Sequence, residues 1–578
     1  MFLLLAFLLL FLLLPGTLQF DLINYNIILS APSNSSVFVI VDDVTYPLYF
    51  DTTSSLVFRG EAPIAKYRYK YGYTDHSNLI SVSEHFHRSP LSNVTTTPNH
   101  FFNRENDVYN LDHLLQYVSS SLSRPNLHIL EQIPTIHLQG DQKAIDTMHN
   151  NQLGDGASVK MKISYISLHD THNFNDVSVT LAGRSSRWVP KLSYKLKLKK
   201  NDNLFGYRHL KLRALSHDPS YIRECIAYYI LKAAGIVTTG FSYIRVFINN
   251  TPIGLFGIIE TFQDPWVAVT FGNGSANYIS GFMYQGTGFA IDSNNEVFIS
   301  DLRYEGTNLT KYIIGQYKVK TAPFSRKDLI VYEGLQNFTK FVNESTVLNR
   351  TLAEWENLLN VDNFLKAMAV EDLLGLSDGY MTMADNYYLY QDLTTGRYTY
   401  IPADLDTSMG ICLYNISLMT SGNMTDHPGL TTRPLTKKLL SYKEYMAAYE
   451  SKLYQFAQDL VNPAVLFPFI DSIVNMIRLD VEWDLSLKRM GNRTLPTSQD
   501  GFNTSLILSK MLPGFQMIDW KTISNLSFDQ ALEGPSSPAT NNESVKTFIS
   551  KKYAAIMKAY KKSSSPPLSA ATSILLLS

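Results

Sequence analysis

The sequence predicts an α+β protein in which a small β-rich module precedes a larger mixed region. Short alternating apolar runs, separated by Pro, Asn, Asp and Gly, fill residues 20–75, a pattern typical of antiparallel strands. Strand-like and helix-like runs alternate from Ile133 to Gly410, and apolar residues at helical spacing predominate after that point. These three patterns assign the fold class.

Length and composition set the number of domains and exclude some partners. A chain of 578 residues with 45% hydrophobic content calls for two or three packed units. The net charge of -1 gives no reason to expect nucleic acid or an acidic membrane as partner. With only two cysteines, Cys225 and Cys412, an apolar core must carry stability. One disulfide and two buried thiols are both compatible with the sequence.

The N-terminus indicates the secretory pathway. An apolar run from Phe2 to Leu14 is followed by Pro15-Gly16, and it has the length of a signal-peptide core but not of a membrane span. We assign residues 1–19 to a signal peptide and predict no transmembrane span elsewhere. Asn-x-Ser/Thr sequons, which need surface positions to be glycosylated, begin at Asn34, Asn93, Asn249, Asn273, Asn308, Asn337, Asn343, Asn349, Asn415, Asn423, Asn492, Asn503, Asn525 and Asn542.

The N-terminal module and the segment after it differ in composition. Residues 20–75 are predicted to form a sandwich-like β module that either binds sugar or, as we favour, packs against the main domain. Residues 76–131 are rich in His, Ser, Asn and Pro, and are predicted to be a linker or wrapping segment. His85, His87 and His100 lack regular ligand spacing, so we expect them to be solvated rather than metal-bound.

A sheet-rich lobe with one internal helix is predicted next. The predicted strands are Ile133–Leu138, Lys160–Ile166, Ser178–Leu181, Tyr194–Leu198, His209–Ala214, Tyr243–Asn249 and Ile253–Glu260. Between them lies a helix that Asp218 is expected to cap, with Pro219 in its first turn and Gly235 closing it. Such a helix lies between strands in the small lobe of protein kinases.

The second half of the sequence contains acidic and amide residues in an order that suits phosphoryl transfer. A helix with apolar residues from Phe364 to Leu374 is followed by Asp378 and Asn386, by two predicted strands, and by Asp404-Leu405-Asp406. Phosphoryl transfer needs a carboxylate to orient the acceptor hydroxyl, a nearby amide oxygen, and a carboxylate for the phosphate-bound metal. Protein kinases present these groups in this order.

Several motifs in one collinear order resemble the CotH family of spore-coat kinases and their fungal surface relatives. They are Lys191–Leu198, Leu204–Gly206, Leu210–Ala214, Asp218–Arg223, Gly254–Glu260, Asn386–Tyr390 and Asp404–Asp406. The resemblance implies a two-lobed, atypical kinase-like domain over residues 132–488, with a small lobe at about 132–270 and a large lobe at about 271–488. Residues 489–562 are predicted to be a helical extension of the large lobe, and 563–578 a Ser/Pro-rich tail in which a lipid-anchor signal is left open.

The resemblance also implies roles for single residues. Asp378 is the expected catalytic base, Asn386 and Asp404 are expected ligands of Mg²⁺ or Mn²⁺, and Asp406 is a ligand or lies just behind one. Asp385 stands where bacterial relatives often have His. The residues expected to bind ATP are Gly183 and Ser185 in a phosphate-covering loop, Lys195 and Lys197 (preferred) on one strand face, Arg213, Arg223, Glu224 as the partner of the lysine, and Glu260.

Three functions follow from the resemblance. The first is a secreted atypical kinase that transfers the γ-phosphate of ATP to Ser or Thr of secretory, spore-coat or cell-wall proteins. The second is a fungal invasin that binds a host surface chaperone without catalysis, and the third is a structural coat or wall protein. Such invasins carry a polar Gly/Asn/Asp-rich stretch after an Asp-Gly-Tyr sequence. Here Asp378-Gly379-Tyr380 is followed by Met381-Thr-Met-Ala-Asp-Asn386, which favours the kinase.

Overall fold

The computed structural model describes residues 21–562, except 116–126, 155–156, 276, 293, 295, 324–327, 346, 494–513 and 536–540. The predicted signal peptide, the Ser/Pro-rich tail and the sequon at Asn503 lie outside the described residues. Sheets and helices are mixed along the chain, which confirms the α+β class. Most described sequon asparagines are at least partly exposed, but Asn542 is buried, so the surface position predicted for it is wrong.

The N-terminal module is one seven-stranded sheet in the order β6-β5-β2-β3-β4-β1-β7. Its strands are β1 Leu22–Ile28, β2 Ser35–Val41, β3 Val44–Asp51, β4 Ser54–Pro63, β5 Tyr69–Asp75, β6 Ile80–Ser83 and β7 His100–Phe101. The rings of Tyr25 on β1 and Tyr69 on β5 lie 5.2 Å apart although three strands separate β1 from β5. The sheet therefore bends over its own apolar core, as a sandwich-like module requires.

This sheet continues into the segment that was predicted to be a linker. Strands β6 and β7 both lie beyond residue 75, and β7 pairs in parallel with β1. The pairing buries His100, whose Nδ1 lies 2.6 Å from Asp107 Oδ2 and whose Nε2 lies 3.0 Å from the Tyr69 hydroxyl. The prediction of a solvated His100 is therefore wrong, whereas His85 and His87 are exposed as expected.

A closed seven-stranded barrel follows in the order β10-β11-β12-β14-β13-β8-β9. Its strands are β8 Thr135–Gln139, β9 Ser158–Ile166, β10 Thr171–Leu181, β11 Tyr194–Lys197, β12 His209–Arg213, β13 Ser242–Ile248 and β14 Thr251–Glu260. They match the seven predicted strands, because strands such as β11 alternate buried and exposed residues, whereas β13 is a mostly apolar run that is buried on both faces. The helix α1, Gln142–Asn150, packs against β9.

The helix inside the barrel region begins later than predicted. Helix α2 spans Arg223–Ala233, and Tyr221 has a φ of 57°, a left-handed conformation that cannot continue a right-handed helix. The Asp218 carboxylate instead accepts hydrogen bonds from the backbone N–H groups of Ser220 and Arg223. Cys225 on this helix is buried and unpaired, as is Cys412, which decides the question left open by the sequence.

The remaining chain forms helices around a four-stranded sheet. The helices are α3 Trp266–Phe271, α4 Thr310–Ile314, α5 Glu333–Glu344, α6 Leu352–Leu358, α7 Val361–Leu374, α8 Tyr380–Met383, α9 Ile416–Met419, α10 Pro434–Leu439, α11 Lys443–Asp459, α12 Pro463–Ser486, α13 Trp520–Ser524, α14 Phe528–Glu533 and α15 Val545–Lys562. The strands are β15 Phe282–Gly286, β16 Phe289–Ile291, β17 Val297–Ile299, β18 Tyr317–Thr321, β19 Tyr387–Gln391 and β20 Tyr398–Pro402. The sheet order is β18-β15-β19-β20, and β16 pairs with β17.

Helix α12 ties the N-terminal part of the chain to the helical region. Its Asp480 is fully buried between Arg245 of the barrel, at 2.7 Å, and Arg104, at 3.0 Å. Phe101 of the N-terminal module packs against Phe247 and against Trp483 of α12. The module therefore packs against the main domain. Among the described residues no single helix is both long and apolar enough to cross a membrane, although α11 and α12, bent by 57°, pass that test as a pair.

Candidate functional site

The first pair of candidate residues, Asp378 and Asn386, lies in the segment that follows helix α7. The helix ends at Gly375, whose φ of 56° closes it in the left-handed conformation that glycine adopts without strain. In the loop that follows, Asn386 Nδ2 donates to Asp378 Oδ2 at 2.8 Å and to the Asp378 carbonyl at 3.1 Å. Asn386 has a φ of 54°, which asparagine tolerates better than most residues. The two residues predicted to be catalytic are thus in direct contact.

The second group of carboxylates lies just beyond β20 and faces the barrel. Asp404 is ion-paired with Arg213 and lies 3.4 Å from the ammonium group of Lys211. Asp406 lies 3.2 Å from Arg213 and 3.5 Å from His217 Nδ1. Lys211 and Arg213 share the outer face of β12, because residues two apart on a strand point the same way. The barrel and the loop after β20 therefore meet at one cleft.

Glu224 was expected to pair with a lysine on a strand, but it pairs with Arg213. Glu224 on α2 accepts a 2.7 Å bond from Arg213 Nε. Lys195 and Lys197 do share the exposed face of β11, as predicted. Lys195 lies opposite Lys211 in the strand register, and the preferred Lys197 lies opposite His209, two residue pairs further from Arg213. Arg213 thus occupies the position at Glu224 that we had expected a lysine to fill.

The carboxyl groups of the cleft differ in the direction in which their surroundings shift their pKa values. Burial, followed by the nearby charges of Asp385, Asp406 and Asp404, raises the pKa of Asp378 well above its usual range. Burial also opposes ionisation of Asp404, but Arg213 and Lys211 outweigh it and hold the Asp404 pKa well below its usual range. Glu224 is likewise buried, and its pKa rises to about 7. The surroundings therefore move the pKa values of Asp378 and Asp404 in opposite directions, upward for Asp378 and downward for Asp404.

A group of lysines on three strands was not recognised as a group from the sequence. Lys318 and Lys320 lie on β18, and burial together with the charges of Lys195, Lys318 and Lys211 lowers the pKa of Lys320 to about 8. The same two causes, burial and neighbouring cations, lower the pKa values of Lys195 and Lys211. We call Lys195, Lys211, Lys318 and Lys320 the lysine cluster. Lysine alternates with other residues in the sequence Tyr317–Thr321. This strand-like pattern could have identified Lys318 and Lys320, which are two of the four lysines.

The predicted phosphate-covering loop lies across the same cleft. Gly183 has a φ of 85°, and a Cβ there would come within 1.7 Å of Ser186 Oγ, so a side chain would distort this turn. Arg184 donates to the Thr287 carbonyl at 2.8 Å and to Asp385 Oδ2 at 2.5 Å. A 3₁₀ turn, Ser185–Trp188, follows, and the side chain of Ser185 lies outside the described part of the structure.

Two residues predicted to bind ATP lie in the protein interior instead. Arg223 is 1% exposed, and its guanidinium group donates to Asp218, to the carbonyls of Ser408 and Met409, and to the Glu543 carbonyl. Glu260 accepts from Gly240 N–H at 3.0 Å and lies 2.9 Å from His128 Nε2. Their polar groups are satisfied by the core, so neither can contact a ligand in this arrangement.

The residues predicted to bind a metal do not form a ready site. Within the described ranges, no three His, Cys, Asp or Glu side chains gather closely enough to hold a metal ion. Asp404 and Asp406 both direct carboxylate oxygens to Arg213, and a divalent cation would have to displace that guanidinium group. The donor set as it stands therefore does not fit a resident metal ion.

The fold and the site together define an α+β protein. Its cleft lies between a β-barrel and a helical region and is lined by both acidic and basic side chains. The family described as CotH kinase protein matches residues 179–494, which include every candidate residue named above. The chain belongs to the CotH family.

Curated relatives come from a fungus and a bacterium. Invasin CotH3 of Rhizopus delemar is 25% identical over 487 residues, which cover 80% of this chain and 76% of the invasin. Spore coat protein homolog 1 of the same fungus is 22% identical over 73% of this chain and 67% of its own. Inner spore coat protein H of Bacillus subtilis is 23% identical over 52% of this chain and 77% of its own.

Proposed function

We propose that this protein is a secreted or surface-located phosphotransferase that moves the γ-phosphate of ATP to a side-chain hydroxyl, Ser or Thr, of a coat, wall or secretory protein. The observation that carries the proposal is the contact of Asp378 with Asn386 in the cleft where Asp404 meets the outer face of the barrel. The names of the relatives, which include invasins and spore coat proteins, support a location at the cell surface or in a coat.

Asp378 is suited to accept the proton of the attacking hydroxyl. A general base works best when its pKa lies near the working pH, and burial among other carboxylates moves the Asp378 pKa upward in that direction. The 2.8 Å bond from Asn386 fixes one carboxylate oxygen and leaves the other for the acceptor. One oxygen is thus held in place and the other can orient the acceptor hydroxyl. Phosphoryl transfer depends mostly on such positioning of the reacting groups.

The cations of the cleft are suited to the phosphates of ATP. The lysine cluster carries positive charge on β11, β12 and β18, and mutual repulsion within it is relieved when an anion binds. Arg213 is held by Glu224, Asp404 and Asp406, so its guanidinium group is pre-oriented. The substrate in this proposal is ATP with its own Mg²⁺ or Mn²⁺, and no step depends on a resident metal.

Transfer of labelled γ-phosphate tests the proposal, with Asp404→Asn as the test variant. Because Asp404 fixes Arg213 and Lys211 at the cleft, we expect its loss to lower the transfer rate by about 10²–10³-fold, as for other charge-positioning groups. The matched control is Asp176→Asn. Asp176 is also left-handed, with a φ of 58° against 55° for Asp404, and it pairs with Lys199 on the surface.

Two results would contradict the proposal. One is an Asp404→Asn variant that transfers phosphate at the wild-type rate. The other is a wild-type protein that labels neither itself nor a casein-like acceptor and shows no rise in melting temperature with MgATP or MnATP.

The lysine cluster predicts a pH dependence of ATP use. Lys320, with its pKa lowered to about 8, is charged below that pH and neutral above it. We therefore expect kcat/KM for ATP, which reports the free enzyme, to fall as the pH rises from 7 to 9. Lys320→Arg keeps its charge throughout this range, so the fall should move to higher pH. An unchanged profile in Lys320→Arg, with Lys200→Arg as the surface control, would contradict this role.

Adhesion is the second candidate function, since three of the relatives are named invasins. Binding of the purified protein to host cells that persists in Asp378→Asn and Asp404→Asn would favour adhesion over catalysis. The two functions are separable by this test, because adhesion needs an exposed surface and not the protonation state of a buried carboxyl group.

A further inference from the structure

A groove far along the chain from the cleft lies where the N-terminal module meets the barrel. It has a volume of about 590 Å³, which is within the usual range of small-ligand sites. Its lining includes Asn34, Ser35, Phe50, Ser55, Phe58 and Asn250. None of these residues belongs to the cleft, so the groove is independent of the proposed phosphotransferase.

One wall of the groove is aromatic. Phe50 on β3 and Phe58 on β4 are register partners in the antiparallel sheet, so their side chains lie on the same face. Phe50 is 67% exposed, whereas Phe58 packs partly against the core of the module. Packing within the module therefore does not account for the position of the Phe50 ring, and exposed apolar surface of this kind often marks a binding site.

The other wall is polar and spans the junction between module and barrel. Ser55 Oγ donates to Asn250 Oδ1 at 2.7 Å, and Ser30 Oγ donates to the Asn250 carbonyl at 2.7 Å. These bonds fix Asn250 of the β13–β14 turn against the module. The groove thus presents hydroxyl and amide groups beside its aromatic wall.

The lining contains no charged side chain. Phosphates, acidic peptides and basic peptides would therefore lose hydration without gaining a counter-charge. A neutral sugar has an apolar C–H face that packs on an aromatic ring and hydroxyls that pair with serine and asparagine side chains. The volume limits the occupant to a short oligosaccharide segment.

We infer that this groove binds a neutral carbohydrate, with the Phe50 ring against a sugar face and with Ser55 and Asn250 pairing to its hydroxyls. The site would attach the protein to a glycan-bearing surface and leave the cleft open. Asn34, which lines the same groove, begins a sequon. Its own glycan is the competing occupant, and the experiment has to separate the two.

Calorimetric titration of the full glycoprotein with chitopentaose, laminaripentaose and mannopentaose tests the inference. We expect at least one of the three to bind, and Phe50→Ala to weaken that binding by about tenfold or more, as expected for a central aromatic anchor. Tyr49→Ala is the matched control, because Tyr49 is 69% exposed on the same strand and does not line the groove. Because both side chains are exposed, both variants should keep the wild-type melting temperature.

Three outcomes overturn the inference. The first is the absence of binding by all three oligosaccharides to both the wild-type protein and Asn34→Gln. The second is equal binding by wild type and Phe50→Ala. The third is binding that appears only in Asn34→Gln, which would assign the groove to the protein's own glycan.

Discussion

Asp378→Asn should lower γ-phosphate transfer by about 10²–10⁴-fold, the range that general-base groups contribute. The amide oxygen of an asparagine at this position still accepts the hydrogen bond from Asn386, so the loop geometry should persist. What is lost is the ability to take up a proton from the acceptor hydroxyl. Rates of labelled phosphate transfer at saturating MgATP measure this loss directly.

The raised pKa of Asp378 also predicts how the rate of phosphate transfer changes with pH. Because the pKa of Asp378 is raised in the folded protein, its carboxyl group stays protonated to a higher pH than an exposed aspartate and is inactive as a base below that pKa. Transfer by the wild type should therefore rise with pH on the acid side, and then fall above pH 8 as Lys320 loses its charge. The residual activity of Asp378→Asn should lack the acid-side rise.

A stability measurement separates a catalytic role of Asp378 from a structural one. Asp378 is partly buried near Asp385, Asp404 and Asp406, so its replacement by a neutral residue removes repulsion, and the melting temperature should stay equal or rise. Asp392→Asn, in a surface turn where the side chain accepts from Thr394 N–H, is the matched control. Wild-type transfer by Asp378→Asn, or its unfolding at the assay temperature, would contradict the assignment.

Arg213→Met is expected to have the largest effect on stability. The Arg213 side chain is 7% exposed and pairs with Glu224, Asp404 and Asp406 at once. Methionine fills similar volume but leaves the buried Glu224 and the partly exposed Asp404 and Asp406 without their common cation. Breaking a buried ion pair in this way typically costs about 3–5 kcal/mol, so the denaturant midpoint should fall clearly and phosphate transfer should be lost.

The pH dependence of that loss follows from the carboxylates. Arg213 lowers the folded-state pKa values of Asp404 and Asp406, so their contribution to stability is present above the unfolded pKa and is lost as the pH falls through the folded one. The gap between wild type and Arg213→Met should therefore be largest near pH 7 and should shrink in acid. Lys197→Met, at an exposed site on the neighbouring strand, should change stability by less than about 0.5 kcal/mol. An Arg213→Met midpoint as high as this control would contradict the role.

The sequence predicted the elements whose pattern is local. The barrel strands either alternate apolar and polar residues, as β11 does, or are mostly apolar throughout, as β13 is, and both patterns are visible without tertiary contacts. Helix α2 was placed four residues too early, since a capping residue followed by proline is an ordinary helix start and the left-handed φ of Tyr221 is not encoded in any local signal. Strands β15 and β18 were missed because β18 pairs only with β15, and β15 has its second partner, β19, far along the chain.

The sequence by itself determined the family, the order of Asp378, Asn386 and Asp404, and the outward faces that carry Lys195 and Arg213. Only the tertiary structure decided which charged side chains form ion pairs and which of them lie at the cleft. It paired Glu224 with Arg213 in place of a lysine, enclosed Arg223 and Glu260 in the core, and brought Lys320 to the cleft. The physical reason is that strand periodicity fixes the direction of a side chain, whereas its partner depends on strand register and on packing between distant segments.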